Sequence, residues 1–104
     1  MSTIRKNTVL DGAQLDRVAQ QFRVLGEPMR LKILQEICAQ PLTVNEIVEA
    51  TGASQPNVSK HLSLLAAAGV ITRHKEARFV YYRLSDPLTL QLCKLVHSQL
   101  LKHR

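Results

Sequence analysis

Thr43-Val44-Asn45-Glu46-Ile47-Val48-Glu49-Ala50-Thr51-Gly52-Ala53-Ser54-Gln55-Pro56-Asn57-Val58-Ser59-Lys60-His61-Leu62 is the stretch on which the reading of the fold turns. Thr43 and Glu46 have the spacing of a capping box, in which a hydroxyl and a carboxylate satisfy each other's free backbone N–H groups at a helix start. Ile47, Val48 and Ala50 then form the apolar side of a short helix that Thr51-Gly52 stops. Ser54 suits an N-cap, Pro56 is tolerated in a first turn, and Val58, Leu62, Leu65 and Ala66 line one face until Gly69. Two helices separated by only Thr51-Gly52-Ala53 make a helix-turn-helix.

The opposite face of the second helix carries Gln55, Asn57, Ser59, Lys60 and Ser63, with Ser54 at its start and no carboxylate. A major groove is about 12 Å wide and admits one helix. Gln and Asn amides can bond two edges of one base pair, adenine above all, while Ser bonds bases or phosphate and Lys reaches guanine or phosphate as a point charge. Ordinary solvation of a polar helix face is the plain alternative.

Downstream the rhythm changes. Val70 to Lys75 and Phe79 to Leu84 are rich in β-branched and aromatic residues and are joined by Glu76-Ala77-Arg78, which predicts a β-hairpin with a basic tip. Arg73, Lys75 and Arg78 place positive charge just beyond the proposed recognition helix. In an alternating strand Phe79 and Tyr81 share one side and Val80 and Tyr82 the other, and these aromatics are expected to be core and cover. A helix-turn-helix followed by such a hairpin is a winged helix.

Upstream, Leu15, Val18, Ala19, Phe22 and Leu25 recur at helical spacing from Gln14 to Gly26. Pro28 opens a second helix with Met29, Ile33, Leu34, Ile37 and Cys38 on its apolar side, ending at Pro41. Asp86 and Pro87 open a last helix with Leu88, Leu92, Leu95, Val96 and Leu100, finishing in Lys102, His103 and Arg104. The predicted class is mainly α: about five helices and a two-stranded wing, with residues 1–10 as a flexible arm and 11–104 as one domain.

A chain of 104 residues, 45% hydrophobic and 21% charged, has room for one core and enough apolar surface to fill it. Domains this short bury only about 60 to 65% of their unfolded surface, so a partner subunit would add stability. The net charge of +6 is uneven: +2 over residues 1–10, −2 over 11–53, +4 over 54–83 and +2 over 84–104. The excess around the second half of the helix-turn-helix and the hairpin attracts polyanions by phosphate neutralisation and counterion release.

The apolar run from Leu64 to Ile71 is far short of the roughly 18 to 20 residues a bilayer span needs, and the start has no signal-peptide pattern. The expectation is a cytoplasmic protein without membrane contact. Cys38 and Cys93 are too few for a disulfide scaffold, and each is expected to be a small buried hydrophobe.

Leu25-Gly26-Glu27-Pro28-Met29-Arg30-Leu31-Lys32-Ile33-Leu34, Ser54-Gln55-Pro56-Asn57-Val58-Ser59-Lys60-His61-Leu62, and Gly69-Val70-Ile71 leading to Tyr82-Arg83-Leu84 resemble the ArsR/SmtB group of bacterial winged-helix repressors, from about Leu15 to the end. The resemblance implies a homodimer joined through the first and last helices, a recognition helix from Ser54 to Ala68, and repression relieved by an inducer.

The chain also departs from that group. One metal-sensing pattern of the family places a Cys-x-Cys in the short helix from Thr43 to Thr51, where this chain has no cysteine. Another uses carboxylates and imidazoles of the last helix and falls here on Asp86, Leu88, Gln99 and Lys102, of which only Asp86 could bind zinc. A paired-thiol pattern places one cysteine in the second helix and one in the last. Cys38 lies about one turn later and Cys93 about two turns earlier than that pattern. Cys93 and His97, four apart, could share a soft metal with His103 or a second subunit, but two ligands do not complete a site. No cofactor is expected, and Cys38, Cys93 and His97 are the candidate sensing residues.

Three function classes follow. The first is a homodimeric DNA-binding repressor acting on a pseudo-palindromic duplex. The second is a winged-helix module that binds protein, its basic face incidental. An enzyme is disfavoured, because His61, His74, His97 and His103 stand near no carboxylate pair or activated nucleophile in any recognisable motif, and no Gly-rich phosphate loop is present.

Overall fold

The computed structural model describes residues 9–102. The arm expected at residues 1–10 lies, up to residue 8, outside the described residues, as do His103 and Arg104. Five helices and one hairpin make up the described chain: α1 (Gly12–Leu25), α2 (Pro28–Ala39), α3 (Val44–Thr51), α4 (Gln55–Ala67), β1 (Ile71–Glu76), β2 (Phe79–Leu84) and α5 (Leu88–Lys102).

Local chemistry sets the helix ends. Asp11 and Gln14 form a reciprocal capping box on α1, which therefore begins at Gly12, ahead of the expected Gln14. The Glu27 carboxylate accepts from Met29 N at the start of α2, and the Thr43–Glu46 box opens α3 as the spacing predicts. Asp86 Oδ1 accepts from Leu88 N at 2.6 Å, so α5 starts two residues after the expected Asp86.

The core gathers Ile33, Leu34 and Ile37 of α2, Ile47 of α3, Val58, Leu62 and Leu65 of α4, and Val70 and Ile71 at the hairpin base. β1 and β2 are antiparallel, with Glu76 paired to Phe79 across a two-residue turn of Ala77 and Arg78. Ala77 sits at φ 56°, in the left-handed region that L-residues avoid and that this turn demands of its first central residue. Leu42 and Tyr82 exchange backbone hydrogen bonds at 3.1 and 2.8 Å, which stitches the segment before α3 to β2.

The two terminal helices reach this core only in part, α1 through Val24 and Leu25 and α5 through Leu90 and Leu92. In α1 only Val24 and Leu25 are buried, while Leu15, Val18 and Phe22 are exposed. In α5 no residue is buried, and Leu95 is 64% exposed. The radius of gyration is 16.5 Å, against about 13 Å for a compact domain of about 100 residues. The protomer leaves its apolar stripes uncovered.

Candidate nucleic-acid interface

The turn that delivers α4 is held by hydrogen bonds from three sides. Gly52 takes φ 75° and its N–H donates to Val48 O, closing α3 in the left-handed manner that favours glycine. The buried Thr51 hydroxyl donates to Ile47 O at 2.7 Å and accepts from Ala53 N at 3.3 Å, and Lys32 Nζ donates to Thr51 O from α2.

On α4 the two faces separate as the period predicts. Val58, Leu62 and Leu65 are fully buried, whereas Gln55, Asn57, Lys60 and Ser63 are exposed. Ser59 is half-buried at the edge of that polar face. Ser54 Oγ accepts from Asn57 N at 3.3 Å, so its oxygen caps the helix. No acidic residue interrupts the helix.

The hairpin follows α4 directly, and β1 packs against it. Register puts Arg73 and Lys75 on one side of the sheet, opposite Tyr82 and Val80, and Arg78 in the turn, all three cations exposed. The Arg73 guanidinium carbon lies 6.0 Å from the Tyr82 ring centroid and that of Arg78 lies 5.4 Å from the Phe79 centroid, both within cation–π range. The expectation that the hairpin aromatics are core and cover holds for Tyr82, which is half-buried against the core. It fails for Phe79, which is 48% exposed at the end of β2 beside the turn, where it stands near Tyr81 and Arg78.

One site residue escaped the sequence reading. His61 is buried at 7% exposure on the apolar side of α4, where Arg30 Nε donates to its Nδ1 at 3.1 Å. Burial first, then the charge of Arg30, holds its pKa below the ordinary 6.5, Lys60 adding to the effect and Glu27 opposing it. The signal was available, since position 61 follows Val58 by one helical turn and belongs to the same stripe.

The three candidate sensing residues do not all come together. Cys38 is exposed, against the expected burial, because it follows the buried Ile37 and is turned about 100° from it on α2. Its Sγ donates to Gln35 O at 2.9 Å. Cys93 is half-buried, again short of the expected burial, because α5 has no core of its own to enter. With His97 it lines an apolar groove of about 260 Å³ among α1, α2 and α5, bounded by Phe22, Leu25, Leu31, Leu92 and Leu100, and Cys38 does not line that groove. Among the described residues no three His, Cys, Asp or Glu side chains gather to hold a metal ion. No helix among them is long and apolar enough to cross a membrane.

Residues 27–73 match the family described as bacterial regulatory protein, arsR family. The transcriptional regulator NmtR of Mycobacterium tuberculosis strain H37Rv is 32% identical over 97 residues, covering 91% of this chain and 81% of that protein. The chain belongs to the ArsR family. A probable mercury resistance operon repressor of Streptomyces lividans is 40% identical to this ArsR-family chain over 80 residues, 77% of it, and the match spans only 64% of that repressor's length. Among solved structures, the homodimeric winged helix-turn-helix DNA-binding domain of Mb0332 from Mycobacterium bovis, a possible ArsR-family regulator, superposes with a TM-score of 0.79 at 27% identity. That superposition covers 93% of this chain and 94% of the mycobacterial domain. The shared fold is a winged helix-turn-helix, five helices with a two-stranded wing in this chain.

Proposed function

We propose that this chain is a cytoplasmic, sequence-specific DNA-binding repressor that acts as a homodimer and is released by an inducer. The observation that carries the reading is the exposed, carboxylate-free face of α4, rigidly delivered by the hydrogen-bonded Thr51–Ala53 turn. In this reading Gln55 and Asn57 read base edges, Ser59, Lys60 and Ser63 bond bases or phosphate, Ser54 fixes the helix start, and Arg73, Lys75 and Arg78 neutralise phosphates. The uncovered stripes of α1 and α5 support pairing of two copies, which would present two recognition helices to half-sites about one helical turn, roughly 34 to 36 Å, apart.

For the inducer the reading commits to no compound. Cys93 and His97 line the groove that the two pairing helices share with α2, where a modification would disturb dimer geometry, and Cys38 is a separate exposed thiol. The test is selection of duplexes from a random pool, followed by binding at rising salt and sedimentation with and without the selected duplex. A two-fold-related sequence bound by two copies, with affinity falling steeply in salt, is the expected result. A monomer that selects no sequence, or an affinity indifferent to salt, would replace it with a protein-binding module.

A further inference from the structure

The Arg30 guanidinium spans three helices. From α2 it donates through Nε to His61 Nδ1 of α4 at 3.1 Å and through Nη1 to the carbonyl of Val24 in the last turn of α1 at 2.9 Å. That carbonyl is one of the four at a helix end without an intrahelical donor, and a cation there also meets the negative end of the helix dipole. α1 carries the uncovered stripe of Leu15, Val18 and Phe22, while α4 carries the polar face. We propose that Arg30 and His61 are a positioning pair, which fixes the pose of the recognition helix against the end of the dimerisation helix, so that where α1 is held in the dimer decides how α4 meets DNA. The inference rests on the DNA-binding reading above and adds to it residues that touch no DNA.

The chemistry of the link is specific. Nδ1 accepts only while it is unprotonated, so the ring must be neutral with its proton on Nε2. Protonation would turn Nδ1 into a donor facing another donor and set two positive charges side by side. The charges that bear on the ring are Arg30 and Glu27 at the start of α2 and Lys60 on α4 itself, and none from α3 or β1 among the described residues adds to them. Burial and Arg30 keep the imidazole neutral near neutral pH, and acidification weakens the link.

The test compares dimeric parent, His61→Leu, His61→Asn and Arg30→Lys on two probes, a duplex that the parent selects from a random pool and an unselected duplex of equal length. The readout is the ratio of the two affinities, in which charge effects common to both duplexes cancel. His61→Leu should fold and dimerise yet lose about tenfold in this ratio, the scale of a lost charge-assisted hydrogen bond. His61→Asn, which keeps an acceptor at the δ position and cannot titrate, should restore most of it. Because the ring is held below its ordinary 6.5, the parent's ratio should hold at neutral pH and fall severalfold only on acidification below that value, while that of His61→Asn should stay flat. A folded His61→Leu dimer with the parent's ratio, or an asparagine variant as pH-sensitive as the parent, overturns the proposal. If the leucine variant does not fold, Arg30→Lys carries the same expectation, since one ammonium cannot fork between Val24 O and His61, and a parent-like ratio there is equally fatal. A parent that selects no duplex fails the DNA-binding reading itself, and the pair falls with it.

Discussion

Arg73 and Tyr82 are register partners across the hairpin, and the guanidinium lies over the ring whose own backbone is bonded to Leu42. One residue thus ties the wing to the helix-turn-helix and orders a cation on the same side of the sheet as Lys75. A guanidinium held over a ring face keeps N–H groups free, so the ring would prearrange the phosphate contact proposed for Arg73 without consuming it.

That arrangement predicts coupling. On a selected duplex, Arg73→Ala and Tyr82→Leu should each weaken binding, and the double variant should lose less than their sum by about 0.5 to 1 kcal/mol. Tyr82→Phe, which keeps the ring, should behave like the parent. The check is a double-mutant cycle by fluorescence anisotropy, and strict additivity would mean that the ring does not organise Arg73 for binding.

Helix and wing should separate in what they read. Gln55→Ala and Asn57→Ala should each narrow the gap between selected and unselected duplex by about 1 to 3 kcal/mol. Lys75→Ala or Arg78→Ala should weaken both alike and lower the salt slope by about one unit. Titrations at several salt concentrations decide it, and wing variants that changed sequence preference would reverse these roles.

Leu95→Glu should leave the helix-turn-helix folded and abolish dimers at micromolar concentration. The side chain is 64% exposed in the protomer, so a carboxylate there costs the isolated fold little, whereas burial between two copies would strand a charge. Sedimentation equilibrium with circular dichroism gives the answer, and an intact dimer would exclude this face of α5 from the interface.

Ala77→Gly should stabilise the protein by about 0.5 to 1 kcal/mol, because glycine takes φ 56° without the side-chain clash that alanine endures. Ala77→Val should destabilise it. Urea unfolding monitored by circular dichroism tests both, and DNA affinity should change little in either.

Cys38 should react with iodoacetamide before Cys93 in the native protein, as the exposed thiol of the two. Pairing of α1 with α5 across two copies would slow Cys93 further, so Leu95→Glu should accelerate Cys93 and leave Cys38 unchanged. Peptide mass spectrometry after timed quenching measures the rates, and faster labelling of Cys93 in the parent would contradict the groove described for it.

Much of this was legible in the sequence because it is local. The Thr43–Glu46 box, the Thr51-Gly52 stop, the Ser54 cap and the alternation of Phe79 to Tyr82 each announce themselves within four residues, and the structure has all of them. What escaped depends on residues distant in the chain or on strain. The Leu42–Tyr82 bridge joins positions forty apart that carry no shared local pattern, and Ala77 gives no hint of a left-handed φ because alanine does not favour one. His61 was readable by period but hidden by residue type, since a polar side chain on an apolar stripe makes sense only once Arg30 is beside it. The fate of Cys38 turned on a single 100° step past Ile37, finer than stripe counting resolves.

The bare flank of α5 bears on dosage. If, as proposed, two chains must meet before either can grip DNA, the amount of working regulator at scarcity would rise with the square of chain concentration, so halving expression would leave about a quarter of it. A gene under such control would pass from silent to active over a narrower range of supply than a single-chain regulator allows, without any cooperativity between DNA sites.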